Sequence, residues 1–332
     1  MDVRIIDTPD VVGKRRVLFA TRPTIYVLVV LTAVLLSYAY TLRTTGIFSC
    51  QAGGYSSDYY LDYCQAAAYG DYEHGAFWFD LEPSALSFAS KAQTLFLGDS
   101  RLQFAFSTAA TSGWFSNATS PYYLLGFGYG ANVAFEGELL RKLNPQAKVY
   151  IMSVDFFERS ESPPAREVMH TAGARSRYEV KRLWQLVHEP ICKTISSICA
   201  DRYALFRSRE TGAYITRESG SASGPVSYDN LVHQDIVKNR AESARDFLSH
   251  LPVKQECVVL TQIPTVKTNN KTAVAVATAL GMNLVMPEVE GLQTFDGVHL
   301  NRSSAERWSK AFFEAAGAQI RKCLDDSRAV PR

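Results

Sequence analysis

Two short clusters carry side chains that can share one reaction. The first is Leu97-Gly98-Asp99-Ser100-Arg101, directly after a brief apolar run. The second is Asp296-Gly297-Val298-His299, directly before a long stretch of helical periodicity. A serine becomes a nucleophile when a base takes its proton, and histidine is suited to be that base. A carboxylate three residues before the histidine can fold back in a loop and hold the imidazole Nδ1–H. A serine that ends a strand and opens a helix also sets its own backbone N–H beside the reacting centre, where a developing oxyanion can use it. Ser100, His299 and Asp296 thus read as nucleophile, base and acid of an acyl-transfer triad. Asp99 reads as a structural residue that bonds turn amides. Arg101 is either a partner for an anionic substrate group or a solvated helix residue. Each cluster alone is an ordinary turn; their order and setting make the pair.

An alternation of short apolar runs and helical stretches would position them. Thr94–Leu97, Tyr122–Leu125, Val149–Val154, Val258–Thr261 and the weaker Asn283–Val285 read as parallel strands, the clearer runs buried on both faces. Val133–Leu143, Asn239–His250, Thr272–Leu280 and Ser303–Leu324 read as helices, with Gly281 as a stop, Ser303 as an N-cap and Glu306 at capping-box distance. Ser100 then falls at the C-terminal edge of a parallel sheet. Residues 157–238 break the alternation, with Pro163-Pro164, a basic stretch around Arg175–Arg182 and a Ser/Gly run at Ser219–Ser227. They read as a partly helical insertion after the third strand, either a substrate wall or a surface elaboration.

With those blocks in that order, residues 92–325, less the insertion, resemble the SGNH (GDSL-like) hydrolase superfamily. The resemblance implies an α/β fold, a three-layer α/β/α sandwich with a mostly parallel, flavodoxin-like sheet. It implies Ser100 as nucleophile and Asp296 and His299 as acid and base. A glycine after the second strand would donate to the oxyanion; within Gly126-Phe127-Gly128-Tyr129-Gly130, Gly130 is the match. The third block departs from the family's pattern. Asp155 stands where an asparagine donates to the oxyanion, and an ionised carboxylate has no proton to give. Either that donor is lost, or Asp155 is protonated or serves another purpose such as substrate binding, or Asn132 supplies the donor from the glycine loop.

Length and composition bound the rest. The 332 residues are 47% hydrophobic, enough for a real core. Five basic and three acidic groups fall in residues 1–23, and the remaining 30 of each fall after residue 42, so no basic field is left for nucleic acid. Thr24–Leu42 is 19 residues without a charge. It reads as an uncleaved membrane anchor, with no A-x-A site following, and the basic residues before it place residues 1–23 in the cytoplasm. All six cysteines follow the anchor, which fits an oxidising compartment. Fifteen pairings are open; the local one joins Cys50 to Cys64, Cys192 to Cys199 and Cys257 to Cys323. No C-x-x-C pair or ligand-spaced histidine suggests a metal, and the serine chemistry calls for no cofactor. The expected plan is a cytoplasmic tail (1–23), an anchor (24–42), a disulfide-stapled lead-in (43–91) and a catalytic domain (92–325).

A branch of the superfamily is anchored by one N-terminal helix and works outside the membrane. Its members tend to be O-acyltransferases or acyl-esterases of cell-surface polysaccharides, and the Ser153-Val154-Asp155-Phe156 ending is similar to that branch. The resemblance implies acyl transfer, with acetyl as the expected acyl group, to or from an exported glycan, with a membrane-bound O-acyltransferase as a partner that passes the acyl group across the bacterial inner membrane. The alternatives are a hydrolytic esterase or lipase and a catalytically impaired glycan-binding member.

Overall fold

The computed structural model describes residues 22–52, 58–216 and 224–326. Residues 1–21 of the expected cytoplasmic tail (1–23) and residues 219–223 of the Ser/Gly run lie outside the described residues. The chain divides into a unit ending at Leu42 and a unit beginning at Arg43. In the first, α1 (Arg22–Thr44) is long and apolar enough to cross a membrane.

The second unit opens with a tight turn at Ile47–Ser49. There follow β1 (Tyr59–Cys64), β2 (Gly70–Asp71), α2 (Glu73–Trp78), α3 (Pro83–Lys91), β3 (Thr94–Leu97), α4 (Ser100–Phe106), α5 (Ala109–Ala118), β4 (Tyr122–Leu124), α6 (Val133–Leu143), β5 (Val149–Ser153), α7 (Pro163–His170) and α8 (Ala174–Thr194). The chain continues through β6 (Ala204–Ser208), β7 (Tyr214–Ile215), β8 (Gly224–Pro225), α9 (Gln234–Ser249), β9 (Val258–Thr261), α10 (Asn270–Leu280), β10 (Leu284–Val285), β11 (Gln293–Thr294) and α11 (Arg302–Asp325).

Five of these strands form one parallel sheet in the order β10-β9-β5-β3-β4. Numbered along the chain, that order is 2-1-3-4-5 from the β4 edge, a doubly wound arrangement whose winding reverses between β3 and β5. Successive side chains of a strand point to opposite faces, and each face here has its own core. Leu95, Leu97, Tyr150, Met152 and Leu260 pack with Phe135, Leu139, Ala244 and Val276. Phe96, Val149, Ile151 and Val259 pack with Phe106, Phe115, Trp308 and Phe312. Burial on both faces explains why these strands read as uninterrupted apolar runs.

Three expectations are corrected. The disulfide-stapled lead-in (43–91) does not stand outside the sheets: β1 lies within it and pairs antiparallel with β6 of the insertion, in a second sheet ordered β2-β1-β6-β7. Val154 leaves the strand and opens a turn at Val154–Phe157, with Ser153 Oγ accepting from Asp155 N. The cap of α11 is Asn301, not Ser303. Asn301 Oδ1 accepts from Ser304 N at 2.9 Å, while Ser304 Oγ accepts from Gln293 N and Glu306 from Ala109 N. The helix is thereby tied to β11 and α5 instead of closing a capping box.

Cys50 pairs with Cys64, Cys192 with Cys199 and Cys257 with Cys323, at Cα separations of 5.9, 5.7 and 5.6 Å.

Candidate active site

Ser100 stands at the C-terminal edge of β3, beside the point where the winding reverses. Gly98 adopts a φ of 153°, a backbone shape that glycine tolerates best, and this turns the chain out of the strand. Asp99 caps α4, accepting from Arg101 N at 2.9 Å. Ser100 is thus the first residue of the helix, where backbone N–H groups have no carbonyl of the preceding turn to bond.

The partner loop arrives from the far end of the chain. Between β11 and α11 it folds on itself: Phe295 N donates to His299 O, Asn301 N to Gln293 O and Gly297 N to Thr294 Oγ1. Asp296 Oδ1 accepts from Val298 N and His299 N, at 2.9 and 2.8 Å. Its Oδ2 lies 2.6 Å from His299 Nδ1, and His299 Nε2 lies 2.8 Å from Ser100 Oγ. A relay of serine, imidazole and carboxylate is therefore assembled from residues 199 positions apart. Partial burial pushes the Asp296 carboxyl up, but the hydrogen bond and charge of His299 and the two loop amides outweigh it and hold it down at about 2. Phe295 stacks on the His299 ring and Phe104 meets it at a tilt, fixing the imidazole between two aromatic faces.

The other expected site residues separate. Arg101 is engaged inside the protein, donating from Nε to Asp99 Oδ2 at 2.8 Å and lying 2.7 Å from Asp155 Oδ2. Asp155 is buried, with Arg240 on one oxygen and Gln262 on the other. Burial alone would raise the Asp155 carboxyl; Arg101 and Arg240 overcome it and lower it, so the residue is an ionised acceptor. It neither donates to an oxyanion nor faces a substrate; it ties the ends of β3 and β5 to α9. Asn132 is also corrected. Its Oδ1 caps α6 and its Nδ2 donates to Ser160 O at 2.6 Å, which spends its amide. Gly130 is exposed and does not line the cleft at Ser100. Gly128 does.

That cleft, about 390 Å³, has two walls. Ser100, Phe104, Phe295, Asp296 and His299 form one. Tyr63, Gln65, Tyr203 and Leu205 from the second sheet form the other, with Tyr129 and Glu73. Tyr63 stands edge-on to Tyr129 and tilted to Tyr203, with ring centres 6.1 and 6.4 Å apart. Glu73 Oε1 accepts the Gly128 N–H at 2.5 Å, and its Oε2 accepts the Tyr214 hydroxyl. Behind it lies the fully buried Arg207, 3.6 Å from Glu73 and 3.8 Å from Asp62. Burial and the charge of Glu73 push the Asp62 carboxyl well above the usual carboxylate range.

Sequence reasoning missed this second wall. The aromatic-rich Tyr59–Cys64 run and its apolar mate at Tyr203–Leu205 were the available signals, but nothing local says that segments about 140 residues apart pair.

Comparison with known proteins finds no matching family model, no matching curated protein and no matching solved structure.

Proposed function

We propose that this protein is a membrane-anchored, SGNH-type serine acyl-transfer enzyme acting on exported glycan, with the α/β/α sandwich of that superfamily. The observation that carries the proposal is the continuous chain Ser100 Oγ, His299 Nε2, His299 Nδ1, Asp296 Oδ2, with both links within hydrogen-bond length. In the proposed reaction Ser100 Oγ bonds to an ester carbonyl carbon as its proton passes to His299 Nε2. Collapse of the tetrahedral anion breaks the ester C–O bond, and His299 returns the proton to the departing alcohol. An acceptor hydroxyl then attacks the acyl-serine, losing its proton to His299. The amides of Ser100 and Gly128 are the proposed donors to the oxyanion, and Gly128 serves once the carbonyl oxygen displaces Glu73.

The wall of Tyr63, Tyr129 and Tyr203 supports a sugar as the alcohol, because pyranose rings lay apolar C–H faces on aromatic side chains. The span-length α1 and the three disulfides support an extracytoplasmic site, for which a membrane-bound O-acyltransferase is the proposed acyl source.

Incubating the protein and Ser100→Ala with an acetyl-ester chromophore tests the proposal. We expect chromophore release and a Ser100 acyl adduct by mass spectrometry, both lost in the variant. Equal release by both proteins with no adduct would sink the triad. Added glycan acceptor should then suppress acyl loss to water if the enzyme is a transferase, and leave it unchanged if it is an esterase.

A further inference from the structure

The α8 helix is apolar on the wrong side. Its inward face carries Tyr178, Gln185, His188 and Cys192, and Tyr178, His188 and Cys192 are buried. At 100° per residue the opposite face carries Val180, Leu183, Leu186, Val187 and Pro190. A surface helix normally turns its polar residues outward. Here Leu183 is 61% exposed and Leu186 65%, and Ile195, just past the helix end, is 50% exposed. Arg182 and Lys193 run along one edge of this stripe, both exposed, while Arg175 on the same edge is paired with the exposed Glu179 at 2.9 Å. An outward apolar stripe with a basic edge is the pattern of a helix that lies in a lipid interface.

What covers the stripe follows from where the chain comes from. The peptide that packs beneath the C-terminal half of α8 is the one that leaves α1. The Phe48 ring stacks on His188, with ring centres 6.2 Å apart, and His188 Nε2 lies 3.3 Å from Cys50 O. The following segment is pinned to the same peptide: Ala200 N donates to Phe48 O and Arg202 Nη2 to Thr44 O. Four residues separate Leu42 from Ile47, and the five steps between the two reach at most about 18 Å. If α1 spans the bilayer, the stripe is tethered next to the lipid surface.

We propose that the outward face of α8 docks on the membrane that α1 crosses, with Leu183, Leu186 and Val187 in the boundary between headgroups and acyl chains and Arg182 and Lys193 at anionic headgroups. The proposal rests on α1 being a membrane span and not on the chemistry of Ser100. Basic side chains snorkel to headgroup level while their stems stay on apolar surface, so the basic edge beside the apolar stripe would fix the rotation of the helix about its own axis. The domain would then be held at two points, and its cleft would keep a constant height and facing above the bilayer.

The full chain is reconstituted into nanodiscs containing phosphatidylglycerol, with an environment-sensitive fluorophore on Leu186→Cys or, as a control, on Lys310→Cys of α11. We expect lipid-borne quencher to quench position 186 and not position 310. The added pair Leu183→Glu and Val187→Glu should bring position 186 to the level of the control, with an unchanged thermal melt. Absence of quenching at 186 overturns the proposal. So does protection of 186 that persists in detergent and scales with protein concentration, because that identifies a second copy as the occupant. Should the glutamate pair melt early, quenching at 186 against 310 in the otherwise native chain still decides. The esterase readout of Ser100 is independent of each of these outcomes.

Discussion

Glu73 Oε1 accepts the backbone N–H of Gly128 at 2.5 Å in the same cleft as Ser100. A carboxylate thus occupies the amide that the proposed mechanism assigns to the oxyanion. Two substitutions separate its effects. Glu73→Gln keeps an acceptor for Gly128 and removes the negative charge facing a developing oxyanion. Acylation of Ser100 by a small ester should rise several-fold, followed by mass spectrometry over time. Glu73→Ala leaves Arg207 and Tyr214 short of a buried partner and should cost about 3 kcal/mol in urea unfolding. Slower acylation in Glu73→Gln would show that the carboxylate assists the reaction.

Asp296 should not set the acid limit of activity. Its carboxyl sits at about 2, below the ordinary aspartate value. A depressed carboxylate contributes stability above its unfolded value, and that contribution is lost only as the pH falls through the folded value. The bond to His299 therefore persists through the range in which an ester assay is run. Asp296→Asn is expected to lower kcat by about four orders of magnitude, as loss of the orienting carboxylate does in such triads, and to do so at every pH. A variant that merely moved the acid limb would contradict this.

His188 gives the domain a stability slope with a defined window. Burial lowers its imidazole to about 4, the bond to Cys50 O offsetting only part of this. Between about pH 6.5 and 4 the unfolded chain binds a proton there that the folded chain does not, so stability falls as the pH falls, by up to about 3 kcal/mol. His74 acts in the opposite sense: burial lowers it, but Asp71 more than compensates and raises it. The measurement is therefore a difference, the pH profile of unfolding free energy for the native chain minus that of His188→Phe. The aromatic replacement keeps the stack on Phe48. A flat difference across the window would show that His188 is not excluded from protonation.

Gly126 holds the second-strand loop against the nucleophile turn. A methyl group there would meet Gly98 O at 2.7 Å and Asp99 O at 3.1 Å, both backbone atoms with little room to yield. Gly126→Ala should displace Ser100 from His299 and cut acyl-serine formation by at least about tenfold, while core packing, read by the thermal melt, changes less. An unchanged labelling rate would mean that the two turns move independently.

These dependencies show what was legible beforehand. Ser100 and His299 could be read because each lies at the end of an unmistakable element: β3 is buried on both faces and α11 repeats its apolar residues over 24 positions. The choice between Gly128 and Gly130 was not legible, since it depends on which amide faces Glu73, a residue of another element. Which of the alternatives open for Asp155 holds was not legible for the same reason: a position in a motif says nothing of Arg240, which reaches it from α9. Asn301 and Ser303 are both good caps, and the contest is settled by Ser304 and Glu306 having work at β11 and α5. The antiparallel sheet was the largest omission, because pairing β1 with β6 is a long-range event with only a short apolar run in each strand.

The Cys257–Cys323 bridge encloses Asp296 and His299 but not Ser100, in a ring of 66 residues. Closing a ring of that size removes about 4 kcal/mol of freedom from the unfolded chain. The bridge therefore restricts the unfolded segment that carries Asp296 and His299 and leaves Ser100, outside the ring, to reach them by folding alone.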